Sequence, residues 1–294
     1  MVSDPDSDGR VAVRRTWIIA AVAMAIASTS CRGVGPSRTA RRPNVEPFNF
    51  QVTVGQSQYQ IEAYLVRTAM AGRRPALLVL NAGEGNAQRC VAASGDLTAI
   101  GIHVACISIP GYGRSSGPAR FVGPQAVVAA HRGLDLLAAR PDVDSSRLGV
   151  WGLSEGAVAA GLLMDSDPRP RAVVLQSGCY DTLRLWPEAP WTTKLSILRQ
   201  VWPSRRVLKE RSVIAHLPPR LDCSVLILHG ERDRRMPVDQ AECLAQALRA
   251  RGAKVETRYF ANAPHQLGKR VERPIANFLR ENLLADSSVT HAAS

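Results

Sequence analysis

The chain has 294 residues, 46% apolar and 21% charged, enough for one large globular domain or two small ones and unlike a disordered or collagenous chain. Its formal net charge of +12 invites a nucleic-acid or membrane-surface partner. The excess is mostly arginine spread along the whole chain, with no zinc-finger, helix-turn-helix or RNP pattern, so no nucleic-acid partner is expected.

Residues 1–31 read as an export signal. Arg14 and Arg15 precede an apolar stretch at 17–27, and the small residues Ser28, Thr29 and Ser30 lead to Cys31. That stretch is shorter than the roughly 20 residues a membrane span needs. Cys31 in this setting resembles a bacterial lipoprotein processing site. The resemblance implies lipidation of Cys31, membrane attachment through it, and a place in the periplasm or cell envelope. Residues 32–47, rich in Pro, Arg and Ser, read as a flexible linker. Of the six cysteines, Cys90, Cys106, Cys179, Cys223 and Cys243 are far apart and mostly inside apolar runs, which predicts buried free thiols by default, with room for one bridge in an oxidising compartment whose pairing the sequence does not give. With no CxxC or HExxH, no metal site is expected.

Polar and apolar residues alternate over 48–54 and 59–66 around Gly55-Gln56-Ser57, which predicts an antiparallel hairpin. The pattern then changes. Unbroken apolar runs at 76–80, 102–107, 148–151, 172–175 and 225–228 suit parallel strands buried on both faces. A more polar run at 254–260 suits an edge strand. Apolar residues at helical spacing fill 124–139, 155–164, 238–251 and 271–284, with Pro237 near the start and Gly252 just past the end of the third. Strand alternating with helix predicts a mostly parallel, doubly wound α/β sheet behind the N-terminal hairpin. Residues 178–220 interrupt the alternation and read as a small helical lid over the C-terminal edge of the sheet. Trp186, Trp191 and Trp202 would form the lid's own core or line a substrate pocket. The domain spans 48–284, leaving 285–294 as a disordered tail.

Gly152-Leu153-Ser154-Glu155-Gly156 follows the run ending at Trp151. Two glycines let the backbone reverse sharply from strand to helix, holding Ser154 at the tip of a strained turn with the N–H of Glu155 facing the place where an oxyanion would form. Serine attack needs a base and an acid that orients it. Asp233 lies a few residues beyond the run at 225–228, and His265 lies in a loop before the last helix. The order Ser, Asp, His, with each group at a strand's C-terminal end, brings all three to one rim of a parallel sheet. His229 reads as a turn residue, Asp181 as a rival orienting acid, His103 as a core histidine and His131 as a helix-surface residue.

With these segments the chain resembles the α/β-hydrolase superfamily over residues 48–284, nearest to prolyl-oligopeptidase-like and dienelactone-hydrolase-like catalytic domains. Gly152 to Gly156 matches the nucleophile turn, Leu228-His229-Gly230-Glu231-Arg232-Asp233 the acid-bearing segment, and Ala263-Pro264-His265 the histidine loop. The loop Pro110-Gly111-Tyr112-Gly113-Arg114-Ser115-Ser116-Gly117 is similar to the family's glycine-rich loop. The resemblance implies Ser154 as nucleophile, His265 as base and acid, Asp233 as its orienter, and no cofactor. The segment Asn81-Ala82-Gly83-Glu84-Gly85 lacks the usual His-Gly or Tyr-Gly opening. The second oxyanion donor is then the N–H of Gly83 or, failing that, the side-chain amide of Asn81, which falls where the peptidases place a donating tyrosine. Residues 32–75 are too few for the propeller that precedes the catalytic domain of prolyl oligopeptidases. That inclines the expectation toward a carboxylesterase-like enzyme acting on a small ester, with a serine peptidase or aminopeptidase acting on a short peptide as the alternative. The complete Ser/Asp/His set argues against a third reading, a non-catalytic binding protein on the same fold. The basic lid hints at an anionic or aromatic substrate group.

Overall fold

The computed structural model describes residues 44–83 and 85–285. The export-signal reading of 1–31, Cys31 included, most of the proposed linker, and the tail beyond 285 lie outside the described residues.

The sheet begins earlier than expected. Strand β1 (Asn44–Pro47) falls at the end of the stretch read as linker, yet it pairs antiparallel with β4. Pro47 is compatible with this because an edge strand tolerates a missing donor. β2 (Phe50–Val54) and β3 (Ser57–Ile61) form the expected hairpin as a separate two-stranded sheet. Its buried Phe50, Val52, Tyr59 and Ile61 join the main core, while Gln51, Thr53, Gln58 and Gln60 face water. The run at 59–66 is not one strand. It breaks at Glu62, whose buried carboxylate accepts hydrogen bonds from Ser108 Oγ at 2.8 Å and from the N–H of Arg114 at 2.9 Å. β4 (Ala63–Arg67) then crosses into the large sheet, antiparallel to its neighbour there.

From β5 (Arg74–Asn81) onward strand alternates with helix, beginning with two helices that were not read from the sequence. Two short helices, α1 (Ala87–Ala93) and α2 (Gly95–Ala99), lead to β6 (His103–Ser108), every residue of which is buried. Then come α3 (Pro124–Ala138), β7 (Val143–Leu153), α4 (Glu155–Ser166) and β8 (Pro170–Gln176). The insertion supplies α5 (Thr182–Glu188), α6 (Trp191–Leu198) and α7 (Arg205–Glu210) before β9 (Ser224–Gly230), α8 (Asp239–Arg249), β10 (Lys254–Phe260) and α9 (Glu272–Leu279). The eight-stranded sheet runs β1-β4-β6-β5-β7-β8-β9-β10, parallel at every junction from β6 to β10. One apolar cluster packs α3, α4 and α8 on one face, and a second packs α1, α2 and α9 on the other. Strands β5 to β9 are therefore buried on both sides, which is why they read as unbroken apolar runs.

Two expectations are overturned. Cys90 and Cys106, read as free thiols, form a disulfide that ties α1 to β6, with Cα atoms 5.8 Å apart. Their closeness comes from packing of a helix on the sheet, which their spacing of 16 residues does not reveal. Trp191 and Trp202 do not form a lid core, being 73% and 78% exposed, and neither lines the cavity that contains Ser154. The insertion instead buries Leu185, Ile197 and Leu208, smaller residues that fit its short helices. Among the described residues, no helix is long and apolar enough to cross a membrane and no group of three potential metal ligands converges.

Candidate active site

Ser154 sits between the end of β7 and the start of α4 with φ 54° and ψ −116°, a region that a residue bearing a Cβ rarely occupies. Its N–H is held by the Gln176 carbonyl of β8 at 2.8 Å. The flanking glycines are needed for space. A Cβ on Gly152 would meet Ala157 Cα at 2.5 Å, and one on Gly156 would run into the Leu80 carbonyl of β5, with Leu80 C at 2.8 Å. The helix thus lies backbone to backbone on the sheet and lifts Ser154 above its edge.

The structure brings the three predicted side chains together. Ser154 Oγ is 2.9 Å from His265 Nε2, and His265 Nδ1 is 2.6 Å from Asp233 Oδ2. Asp233 is buried in the turn after β9, where Oδ1 accepts the N–H groups of Arg235 at 2.8 Å and Met236 at 2.9 Å. Burial pushes its carboxyl up, but hydrogen bonds from His229 and His265, the imidazole charge and the Met236 N–H outweigh burial and hold it well below the usual carboxylate range. It is therefore an anion at neutral pH, fixed in the orientation that keeps a proton on His265 Nδ1 and leaves Nε2 free to accept from Ser154. The backbone of the histidine loop is pinned as well, since Ser177 Oγ donates to the His265 carbonyl at 3.0 Å.

The oxyanion candidates separate cleanly. Asn81 is buried, and its Nδ2 donates to the carbonyls of Ile107 at 3.0 Å and Val79 at 3.4 Å. Both amide hydrogens are spent on the β5–β6 junction, so the side chain is not a spare donor. Gly83, at φ 61°, lines the cavity that contains Ser154 and His265. The N–H of Glu155 opens α4, where first-turn N–H groups have no intrahelical acceptor. Its carboxylate does something sequence reasoning did not find. Oε1 accepts Gln200 Nε2 at 3.0 Å, and Gln200 Oε1 accepts the N–H of Phe121 at 2.8 Å and the Tyr112 hydroxyl at 3.4 Å. Gln200 thereby ties the segment after α6 to the helix that Ser154 opens and to the loop after β6. Burial raises the Glu155 carboxyl, while hydrogen bonds from Gln200 and Tyr112 pull the other way without cancelling it.

The cavity above Ser154 has a volume of about 540 Å³. The lid contributes Thr192, Ser196 and Arg199, the loop after β6 contributes Tyr112 and Phe121, and the turn after β9 contributes Met236. Its aromatic rings therefore come from the loop after β6, not from the lid tryptophans.

The rival residues have other work. His229 is buried, with Nε2 on the Met236 carbonyl at 2.8 Å. Asp181 caps α5 by accepting the N–H of Arg184 at 3.1 Å. His103 accepts the N–H of Thr68 and donates to the Asp142 carbonyl, and burial lowers its pKa. His131 is unexpected. Its Nε2 lies 2.7 Å from Ser166 Oγ and its Nδ1 3.1 Å from Asp167 Oδ2, a second hydroxyl–imidazole–carboxylate chain. Ser166, however, ends α4, where carbonyls and the negative end of the helix dipole face outward, so an oxyanion would be repelled there. Asp167 is also gripped by Arg169 Nε at 2.8 Å. Ser154 opens the same helix, at its positive end.

A serine hydrogen-bonded to a histidine at a strand–turn–helix corner, on a mostly parallel sheet, is the arrangement of a serine hydrolase of the α/β-hydrolase fold. The family described as the prolyl oligopeptidase family matches residues 129–284, over half of the chain, and the chain belongs to that family. The uncharacterized peptidase YuxL of Bacillus subtilis (strain 168) is 30% identical over 132 residues, which is 44% of this chain and 20% of YuxL. Dipeptidyl peptidase 4 of Porphyromonas gingivalis superposes with a TM-score of 0.67 at 19% identity, covering 82% of this chain and 36% of that one. Acetyl xylan esterase 1 of Thermoanaerobacterium superposes with a TM-score of 0.60 at 17% identity, covering 82% of this chain and 88% of the esterase. At these identities the two structures speak to fold alone.

Proposed function

We propose that Ser154, His265 and Asp233 hydrolyse short peptides or small acyl compounds through an acyl-enzyme. His265 Nε2 takes the Ser154 proton as Oγ attacks the substrate carbonyl. The N–H groups of Glu155 and Gly83 receive the oxyanion, and Asp233 stabilises the imidazolium. His265 then passes the proton to the leaving nitrogen or oxygen. Water, deprotonated by the same imidazole, releases the acid and regenerates the serine. The observation that carries this reading is the unbroken hydrogen-bond chain from Ser154 Oγ through His265 to Asp233 at the N-terminal end of α4. A fluorophosphonate probe should label the wild-type protein at Ser154 and leave Ser154→Ala unlabelled, folded and without turnover. Labelling or hydrolysis retained in Ser154→Ala would refute the assignment.

A peptide bond is the first choice of substrate, because family membership and YuxL both point to peptidases. An ester is the second reading, since an acetyl xylan esterase is matched over nearly its whole length. Matched aminoacyl p-nitroanilides and p-nitrophenyl esters separate the two by kcat/KM. We also infer export with lipid attachment at Cys31. The Cys90–Cys106 disulfide supports it, because such bonds persist in oxidising compartments. Intact-mass analysis of the envelope fraction should find a diacylglyceryl cysteine at position 31, and a retained N-terminus would count against it.

A further inference from the structure

The loop between β6 and α3 holds Phe121 and Val122 at φ 45° and 53°. Among the described residues they are the only two adjacent non-glycine residues with positive φ. A Cβ is crowded in that region, and a β-branched residue such as valine most of all. A conformation of this kind persists only where its surroundings over-determine it. Both residues are buried, and Val122 belongs to the core. Two side chains from the insertion hold the turn. Gln200 Oε1 accepts the N–H of Phe121 at 2.8 Å, and the buried Arg211 donates from Nε to the Arg120 carbonyl at 3.3 Å. Gln200 Oε1 also accepts the Tyr112 hydroxyl at 3.4 Å, while its Nε2 donates to Glu155 Oε1 at 3.0 Å. The orientation of the amide is forced, because a backbone N–H can only donate and so must face the oxygen. Phe121 and Tyr112 line the cavity above Ser154, together with the apolar Ile197 and Met236. The strained turn is thus the means by which a ring is presented to that cavity, and Gln200 is the group that holds it there.

We propose that Gln200 is a positioning residue that fixes Phe121 as an apolar wall of the substrate cavity, and that this wall selects substrates carrying an apolar group on the acyl or the amine side of the scissile bond. The proposal rests on the reading of this cavity as the substrate site of Ser154. Without the Gln200 amide the N–H of Phe121 loses its acceptor, the turn relaxes toward ordinary backbone angles, and the ring leaves the wall. The loss falls on binding of the apolar group and not on the chemistry at Ser154, so it appears in KM and not in kcat.

The probes are N-methylhexanamide, with its chain on the acyl side, N-hexylacetamide, with its chain on the amine side, and N-methylacetamide, with neither. Each is titrated by calorimetry into the full chain carrying Ser154→Ala, so that none is turned over. One of the long amides should bind at least about tenfold tighter than N-methylacetamide, because every methylene it buries adds affinity. Gln200→Met, close in size but without the amide, should cut that ratio at least about fivefold. Phe121→Ala should cut it as much, and the double variant no further, because the two residues act through one wall. Gln200→Glu still offers Phe121 an oxygen, with the Glu155 carboxyl, which burial holds toward its neutral form, as donor to the new group. It should keep most of the ratio. Circular dichroism checks the fold, and Gln200→Ala takes the place of Gln200→Met should that variant not fold. In the active enzyme the matching ester, p-nitrophenyl hexanoate or hexyl acetate, should show the Gln200→Met loss in KM and not in kcat. Equal binding of the three amides, a ratio untouched by Gln200→Met or Phe121→Ala, additive losses in the double variant, a loss in Gln200→Glu as large as in Gln200→Met, or an effect confined to kcat would each overturn the proposal. Failure of the wild-type protein to hydrolyse any ester or amide would instead count against the reading of Ser154, and the titrations would still decide the role of Gln200.

Discussion

Replacing Asp233 with asparagine separates the charge of this residue from its place in the fold. An asparagine fits the same space, and its Oδ1 can keep both backbone N–H bonds from Arg235 and Met236. What is lost lies at Oδ2, 2.6 Å from His265 Nδ1. With charge centres about 4 Å apart and an effective dielectric constant of about 20, the carboxylate stabilises a nascent imidazolium by about 4 kcal/mol. That is roughly 10³ in rate. The substituted amide also turns an N–H toward Nδ1, which drives the imidazole proton to Nε2 and blocks the atom that must accept from Ser154. Together the effects predict a loss of about 10³ to 10⁴ in kcat. The assay is p-nitrophenyl acetate hydrolysis at neutral pH, with circular dichroism to check the fold. The carboxyl is held below its ordinary range, so it contributes stability that is present above the unfolded-state value and lost as pH falls through the folded one. Asp233→Asn should accordingly flatten the acid limb of the stability curve. A folded variant that lost less than tenfold in kcat would refute the electrostatic coupling assumed here.

Gly156→Ala forces a methyl against the Leu80 carbonyl, so α4 must lift from β5. A loss of about 3 kcal/mol in urea denaturation is expected, together with loss of probe labelling at Ser154. Asp144 is pulled down to about 2, chiefly by the Ser146 hydroxyl, against the opposing push of burial, with Arg147 adding to the pull. It should stabilise the fold at neutral pH and lose that contribution as pH falls from about 4 toward 2, so Asp144→Asn should cost about 1 kcal/mol at neutral pH and nothing below pH 2. Reduction of Cys90–Cys106, which closes a loop spanning 16 residues, should cost about 3 kcal/mol and release two thiols to Ellman's reagent. Unchanged stability on full reduction would contradict that figure.

The parallel strands were legible because burial on both faces leaves an unbroken apolar signature, as at Leu77 to Leu80. The candidate triad was legible because chain order and strand ends constrain it: Ser154 and Asp233 each follow an apolar strand by a few residues, and His265 follows the more polar edge strand β10. The groups that depend on tertiary contact were not. Gln200 looks like any polar residue at the end of a helix until it is seen bridging Glu155 and Phe121. The alternation at 59–66 conceals the pivot at Glu62, because a buried carboxylate looks like a solvent-facing residue until Ser108 and Arg114 are seen to hold it. Asn81 was the second-choice donor because it falls where the resembling peptidases place a tyrosine, whereas its amide bonds sideways to Ile107.

Searches for enzymes by side-chain spacing alone would find two hits among the described residues, since Ser166, His131 and Asp167 meet the same distance criteria as Ser154, His265 and Asp233. The two serines sit at opposite ends of one helix. A template that scored the direction of the peptide groups around the hydroxyl would tell the two apart, because the polarity of a helix is fixed by the course of the chain.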